Sequence, residues 1–145
     1  MQFMKSKALA FLRSQQLSVI ATNHAGGSPE SALVAFAQDD NLHIYFQTGR
    51  HTRKAHNLAD NPHVSFVFGV TLETGITMQY EGDAAQLHDP ERIKACKQLF
   101  LDRNSPTTAE FLEHPTSIFF EVTPTWIGMS DYRANKPVVT EKFFD

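Results

Sequence analysis

The chain has 145 residues, 41 % of them hydrophobic and twelve of them Phe, which is enough for one domain (1–145) with a real core. A net charge of −3 argues against nucleic acid as a main partner, and no apolar run approaches the roughly 20 residues of a membrane span. The single Cys96 excludes an internal disulfide framework. Lys5 and Lys7 are followed by neither an apolar core nor a small-residue cleavage site, so the expected setting is a reducing cytoplasm.

Met4, Ala8, Phe11 and Leu12 recur at helical spacing and predict an amphipathic helix over residues 3–15. Leu17, Val19 and Ala21 alternate as a first strand, and Gly26-Gly27 within Asn23–Ser28 reads as a hairpin turn. A second strand runs from Glu30 to Ala37. Ala32, Val34 and Phe36 occupy one face and Leu33, Ala35 and Ala37 the other, so burial on both sides is expected. After a turn over Gln38–Asn41, a third strand covers Leu42–Thr48.

The stretch Gln47–Pro62 joins two β-rich runs. Thr52 is an expected N-cap, Ala55, Leu58 and Ala59 form the apolar stripe of a short helix, and Asn61-Pro62 ends it. Arg53 and Lys54 stand in its first turn. A helix N-terminus already carries about half a positive charge, so each cation there costs roughly 0.3–1 kcal/mol. Two readings follow: solvated surface cations, or, with the free N–H groups and the Thr52 hydroxyl, a cradle for a phosphate. Thr48, Gly49 and Arg50 add small donors and a further cation at the preceding strand end, which favours the cradle.

Further along, His63–Val70 is a fourth strand and Ile76–Gln86 a long fifth, with Thr77, Gln79 and Glu81 on one face. Asp89-Pro90 starts a helix whose buried side carries Ile93, Cys96, Leu99 and Phe100. Ser105-Pro106 is expected to break it, with a short helical turn over Thr107–Glu113. Ile118–Val122 is a sixth strand. Pro124 interrupts, and Thr125–Met129 is a seventh, read as an edge strand. Asp131–Asp145 shows no clear period and is expected to pack on a partner or stay mobile. Six or seven short strands and few helices predict a mainly β, closed or nearly closed antiparallel barrel with flanking helices.

None of the seven histidines has the spacing of a zinc helix motif, there is no second cysteine, and no metal site is expected. Cys96 reads as a small core residue. Neither a Gly-x-Ser-x-Gly elbow nor a nucleotide-binding glycine loop is present, so chemistry would have to come from a bound cofactor.

Thr52-Arg53-Lys54-Ala55-His56 followed by Asn61-Pro62-His63-Val64-Ser65 resembles the phosphate-binding segment of the pyridoxamine 5'-phosphate oxidase-like FMN-binding split barrels, a family that includes general stress proteins and oxidase-related flavoproteins. The resemblance extends from the first helix to about Trp126. It implies a split barrel of six to seven antiparallel strands and a homodimer with two FMN sites at the subunit interface. It further implies that Arg53 and Lys54 bind the FMN phosphate, with Gln47 and Thr48 adding polar contacts. The backbone at Ala32, Leu33 and Val34 would run along the ring. Thr77 stands where the family often has a ring-binding glutamine, and Gln79 is a possible substitute. Trp126 and Arg133 lie near the region where a second subunit approaches the flavin; their other readings are core packing and a solvated charge.

The basic residues that pyridoxamine phosphate oxidases carry near the start and at the end of the second strand are replaced by Ala32 and Ala37. The Tyr…Arg…Ser substrate-phosphate set and the C-terminal Arg-x-His segment are also absent. The expectation is therefore an FMN-dependent reductase or oxidase for an unidentified small molecule, not a pyridoxamine phosphate oxidase. The alternatives are a non-catalytic flavin-binding or stress-related protein, and a barrel that holds haem or a deazaflavin.

Overall fold

A computed structural model describes residues 2–103 and 109–145. The chain runs α1 (Lys5–Ser14), β1 (Leu17–Asn23), β2 (Pro29–Ala35), β3 (Ala37–Gln38), β4 (Ile44–Gly49), α2 (Arg53–Asp60), β5 (His63–Phe68), β6 (Ile76–Gln86), α3 (Pro90–Asp102), α4 (Ala109–Glu113), β7 (Ser117–Asp131) and β8 (Val138–Phe143). The strands form one antiparallel sheet in the order β2-β1-β5-β6-β7-β4-β3, with β8 added to β7. Curling brings β2 and β4 near each other without a ladder between them, so the barrel is split there. The expected break at Ser105-Pro106 and the start of the turn at Thr107 lie outside the described residues. Among the described residues no helix is long and apolar enough to cross a membrane.

Strand alternation builds the interior. Phe36, Phe46, Phe66, Phe68, Tyr80 and Phe120 point inward and are all nearly fully buried. Phe46 stacks on Phe120 at 5.0 Å between centroids, and Phe36 meets Phe68 edge-on at 4.7 Å. Each such ring contributes about 1.5–3 kcal/mol through burial. The Tyr80 hydroxyl is satisfied inside the core, 2.8 Å from the Leu42 carbonyl oxygen and 3.1 Å from that of Val122. Ala8, Phe11 and Leu12 of α1 are buried on the same cluster, as their spacing predicts, and Leu9 joins them, while Met4 stands at the N-cap and is exposed.

Several expectations need correction. The second strand is not buried on both sides: among the described residues β2 has β1 as its one ladder partner, and Leu33 is 61 % exposed. It also stops at Ala35; the ladder is interrupted at Phe36, and Ala37–Gln38 pair with β4 instead. The third strand starts at Ile44 because Leu42 takes φ 67°, a left-handed turn conformation.

The sixth and seventh strands are one strand, and its second half is not an edge. Trp126–Asp131 lies between β6 and β8. Pro124 is tolerated because the ladder shifts register there: Glu81 pairs with Trp126 and Gly82 with Pro124. A proline has no N–H to donate, and a bulge is where a ladder bond can be lost. Gly82 allows the close approach, since a Cβ there would sit 2.5 Å from the Thr123 carbonyl oxygen. The tail is not aperiodic: Val138–Phe143 forms β8, whose short alternation is masked by a mostly exposed composition.

Candidate functional site

The split between β2 and β4 opens beside the start of α2. Thr52 caps that helix, its hydroxyl accepting from the Ala55 N–H at 3.3 Å and donating to the Gly49 carbonyl at 2.9 Å. The Thr48 hydroxyl therefore donates to Thr52 across their 2.9 Å contact. Both hydroxyl protons are committed to the turn. What remains open are the first-turn amides of Arg53 and Lys54, which have no intrahelical acceptor.

Two adjoining hollows meet at Lys54. One, of about 390 Å3, is lined by Leu33, Val34, Gln47, Thr48, Lys54 and Phe111 among others. The second, of about 440 Å3, includes Ala32, His51, Thr52, Arg53 and Lys54. Eight of the sequence-predicted residues are thus brought together: Ala32, Leu33, Val34, Gln47, Thr48, Thr52, Arg53 and Lys54. Gln47 is oriented by its side-chain amide, which donates to the Ser117 hydroxyl at 2.8 Å.

The two cations differ. Lys54 is half-buried, and burial lowers its pKa. Among the described residues its ammonium has no hydrogen-bond or ion-pair partner. Arg53 is exposed and pairs with Glu30 of β2. The Asn57 side-chain amide holds Glu30 in place, donating to its carboxylate at 2.8 Å while lying 2.9 Å from the Thr22 hydroxyl. Sequence reasoning missed this acid. A cross-strand partner for Arg53 depends on how α2 packs on the β1–β2 hairpin.

Thr77, Gln79 and Trp126 are not at the cleft. They lie on the outer face of β6 and β7. Pairing runs Leu33–Val19–Val67–Gln79–Gly128 across that face, so Gln79 shares a row with Leu33 three strands away. At the usual strand spacing this is about 14 Å. Trp126 lies flat on the same face over Gly128, where a Cβ would be 2.6 Å from the indole, and its N–H donates to Glu141 at 3.0 Å. Arg133 is exposed and bound to Asp131.

A second polar cluster sits at the other end of β4. The Tyr45 hydroxyl donates to Glu121 at 2.7 Å and lies 3.1 Å from Asp39, whose carboxylate meets His43 Nδ1 at 2.8 Å. Arg92 donates to Glu121 at 2.6 Å. Burial, and then the two carboxylates, push the Tyr45 pKa well up. Burial alone would raise that of Glu121, but hydrogen bonds from Tyr45 and Arg92 hold it below the usual value. Cys96 is buried beside this cluster, its thiol pushed up to about 12 by burial.

The family model described as pyridoxamine 5'-phosphate oxidase matches residues 4–130. The chain belongs to the pyridoxamine 5'-phosphate oxidase family. General stress protein 26 of Bacillus anthracis superposes with a TM-score of 0.66 at 22 % identity, covering 86 % of this chain and 92 % of that one. A conserved hypothetical protein of Mycobacterium tuberculosis gives 0.76 at 23 %, covering 90 % and 86 %. A heme binding protein of Mycobacterium smegmatis gives 0.78 at 13 %, covering 97 % of this chain and 59 % of that one. At these identities the likeness concerns the fold. A search of curated proteins gives no significant match. Within the family's split barrel, the Arg53-Lys54 turn stands at the mouth of the split.

Proposed function

We propose that the protein is an FMN-dependent oxidoreductase for a small molecule, with the FMN phosphate at the start of α2 and the ring in the β2–β4 gap. The observation that carries this reading is Lys54. Its ammonium has lost part of its hydration and lacks a partner among the described residues, and the residue stands in the first turn, at the positive end of a helix. Both costs reverse when an anion is present. The residues fit a phosphate: two open amides, the Lys54 ammonium and, once released from Glu30, the Arg53 guanidinium.

The side of β2 facing the gap has no ladder partner, so its backbone groups can meet a ring's polar edge, and Ala32 and Ala35 leave room. When bound, FMN supplies two-electron redox chemistry. The chain binds the phosphate, positions polar groups around the ring and excludes water with Val34, Leu33 and Phe111.

Thr77, Gln79 and Trp126 can approach that ring only from a second copy. The face they occupy also exposes Leu33, Val67 and Phe143, an apolar surface suited to a homodimer. Pyridoxamine phosphate is a poor candidate substrate. Ala37, where the oxidases have a basic residue, is fully buried, and the cations lining the two hollows are Arg53 and Lys54. A working turnover on that substrate would overturn this exclusion.

The test is the absorption spectrum of the purified protein, followed by FMN and riboflavin titrations of the wild type and of Lys54→Ala. Flavin bands, and an FMN preference that Lys54→Ala removes, are expected. A Soret band in place of flavin bands, or equal loss for both ligands, overturns the reading.

A further inference from the structure

A hollow larger than the two at Lys54 belongs to neither polar region. It is a groove of about 800 Å3 between α1 and the far ends of β6, β7 and β8, within the size range of small-molecule sites. It shares no lining residue with the two hollows that meet at Lys54. Strand alternation also separates it from the outer face. Ile76 and Met129 line the groove, while Thr77 and Ser130, paired with each other one residue along, point the opposite way.

Its surface is divided chemically. Phe11, Ile76 and Met129 form an apolar floor, and Met4, 49 % exposed, adds an adaptable wall. Charge is confined to the rim. Asp131 is neutralised in place: Arg133 donates Nε to Oδ1 at 2.9 Å and Nη2 to Oδ2 at 2.6 Å. Lys7, in the first turn of α1, has no hydrogen-bond or ion-pair partner among the described residues. The rim therefore carries one uncompensated positive charge beside an apolar floor.

We infer that this groove is a second ligand site, selective for an amphipathic monoanion: an aryl or medium-chain alkyl body with a single carboxylate or sulfonate head at Lys7. The body covers the exposed Met4 and half-buried Ile76 above the buried Phe11 and Met129, and the head meets the ammonium at the rim. A dianion would bring a second charge close to Asp131 without a second cation to match it. A neutral body loses the contact with Lys7.

Anilinonaphthalene sulfonate is a monoanion of this shape, and its fluorescence on binding the full chain tests the site. Saturable binding at one site per chain is expected, undisturbed by FMN. Ala10 is exposed on α1 and faces the groove, so Ala10→Trp should fill it and abolish binding while circular dichroism and FMN binding stay unchanged. Lys7→Gln should weaken the sulfonate by about threefold or more, as for an exposed ion pair, and leave neutral phenylnaphthylamine nearly unaffected. Full binding to folded Ala10→Trp would place the probe elsewhere, on the exposed sheet face, and overturn the site. Equal effects of Lys7→Gln on the charged and neutral probes would overturn its selectivity for an anion. Displacement of the probe by FMN would overturn its independence.

Discussion

The two ends of β4 handle polar groups in opposite ways. Near Tyr45, each charge meets an opposite charge or a donor: Asp39 has His43 and Tyr45, and Glu121 has Tyr45 and Arg92. Past Gly49, the chain puts Lys54 into a half-buried position at the positive end of a helix and gives it no partner among the described residues. A satisfied network of this kind holds β3, β4, β7 and α3 together and requires nothing further. An unsatisfied cation is a standing cost to the fold, one that the proposed FMN phosphate would offset. Number of charged residues does not separate the two regions; pairing does.

The sharpest way to break this comparison is Lys54→Met. FMN affinity should fall by about 1.5–3 kcal/mol, the range for a hydrogen bond to a charged group. The thermal midpoint of the ligand-free protein should stay level or rise, because a desolvated cation has been removed. A drop in both would mean that Lys54 is a structural residue like those around Tyr45.

The reverse pattern is expected of Glu121→Ala, which leaves Arg92 without its acceptor and Tyr45 with Asp39 alone. Stability in urea should fall by about 1–2 kcal/mol, with FMN affinity unchanged. Acid sharpens the same contrast. The folded-state pKa of Glu121 lies below its ordinary value, so its contribution is complete above the usual carboxylate pKa of about 4.3 and is lost as pH falls through its lower folded value. Wild-type stability should drop over that window more than Glu121→Gln does. At the other end of the scale, the lowered pKa of Lys54 means that FMN binding should weaken as pH rises, earlier than an ordinary lysine would allow.

Arg53→Ala should have a smaller effect than Lys54→Met. Its guanidinium is largely exposed and already paired with Glu30, so about 0–1 kcal/mol of FMN affinity is expected to be lost. Isothermal titration of both variants in one buffer checks the ranking, and a larger loss for Arg53→Ala would reverse the assignment of the main anion contact. The least change is expected at Cys96. With its thiol pushed up to about 12, alkylation by iodoacetamide at neutral pH should be negligible until the protein unfolds.

Local chemistry made much of the cleft legible in advance. The Thr52 cap, the stop at Asn61-Pro62 and the two cations of the first turn depend on residues within ten positions of one another, and the Thr52 cap and the α2 boundaries stand where expected. The small side chains of β2 were equally readable. The Glu30–Arg53 pair was not, because nothing in the order of residues says that α2 packs on the β1–β2 hairpin. For the same reason Thr77 and Gln79 could be named as residues of one strand face, while the place of Trp126 on that face, and the separation of all three from Lys54 in a single chain, appear only when the sheet is assembled.

The sequence by itself determined which segments alternate and which wind. It set the aromatic interior, the helix caps and the charge placed at the start of α2, since these follow from side-chain volume and from hydrogen bonds a few residues apart. Tertiary structure decided the rest. Whether Pro124 ends a strand or sits in a bulge depends on Gly82 in another strand, and whether residues 138–143 are tail or strand depends on the open side of β7. Which cations remain unpaired depends on the neighbours each helix acquires. Lys7 and Lys54 both stand in the first turn of a helix; one came to lie at the rim of an apolar groove and the other at the split of a barrel, because burial and pairing belong to the packed molecule and not to the residue.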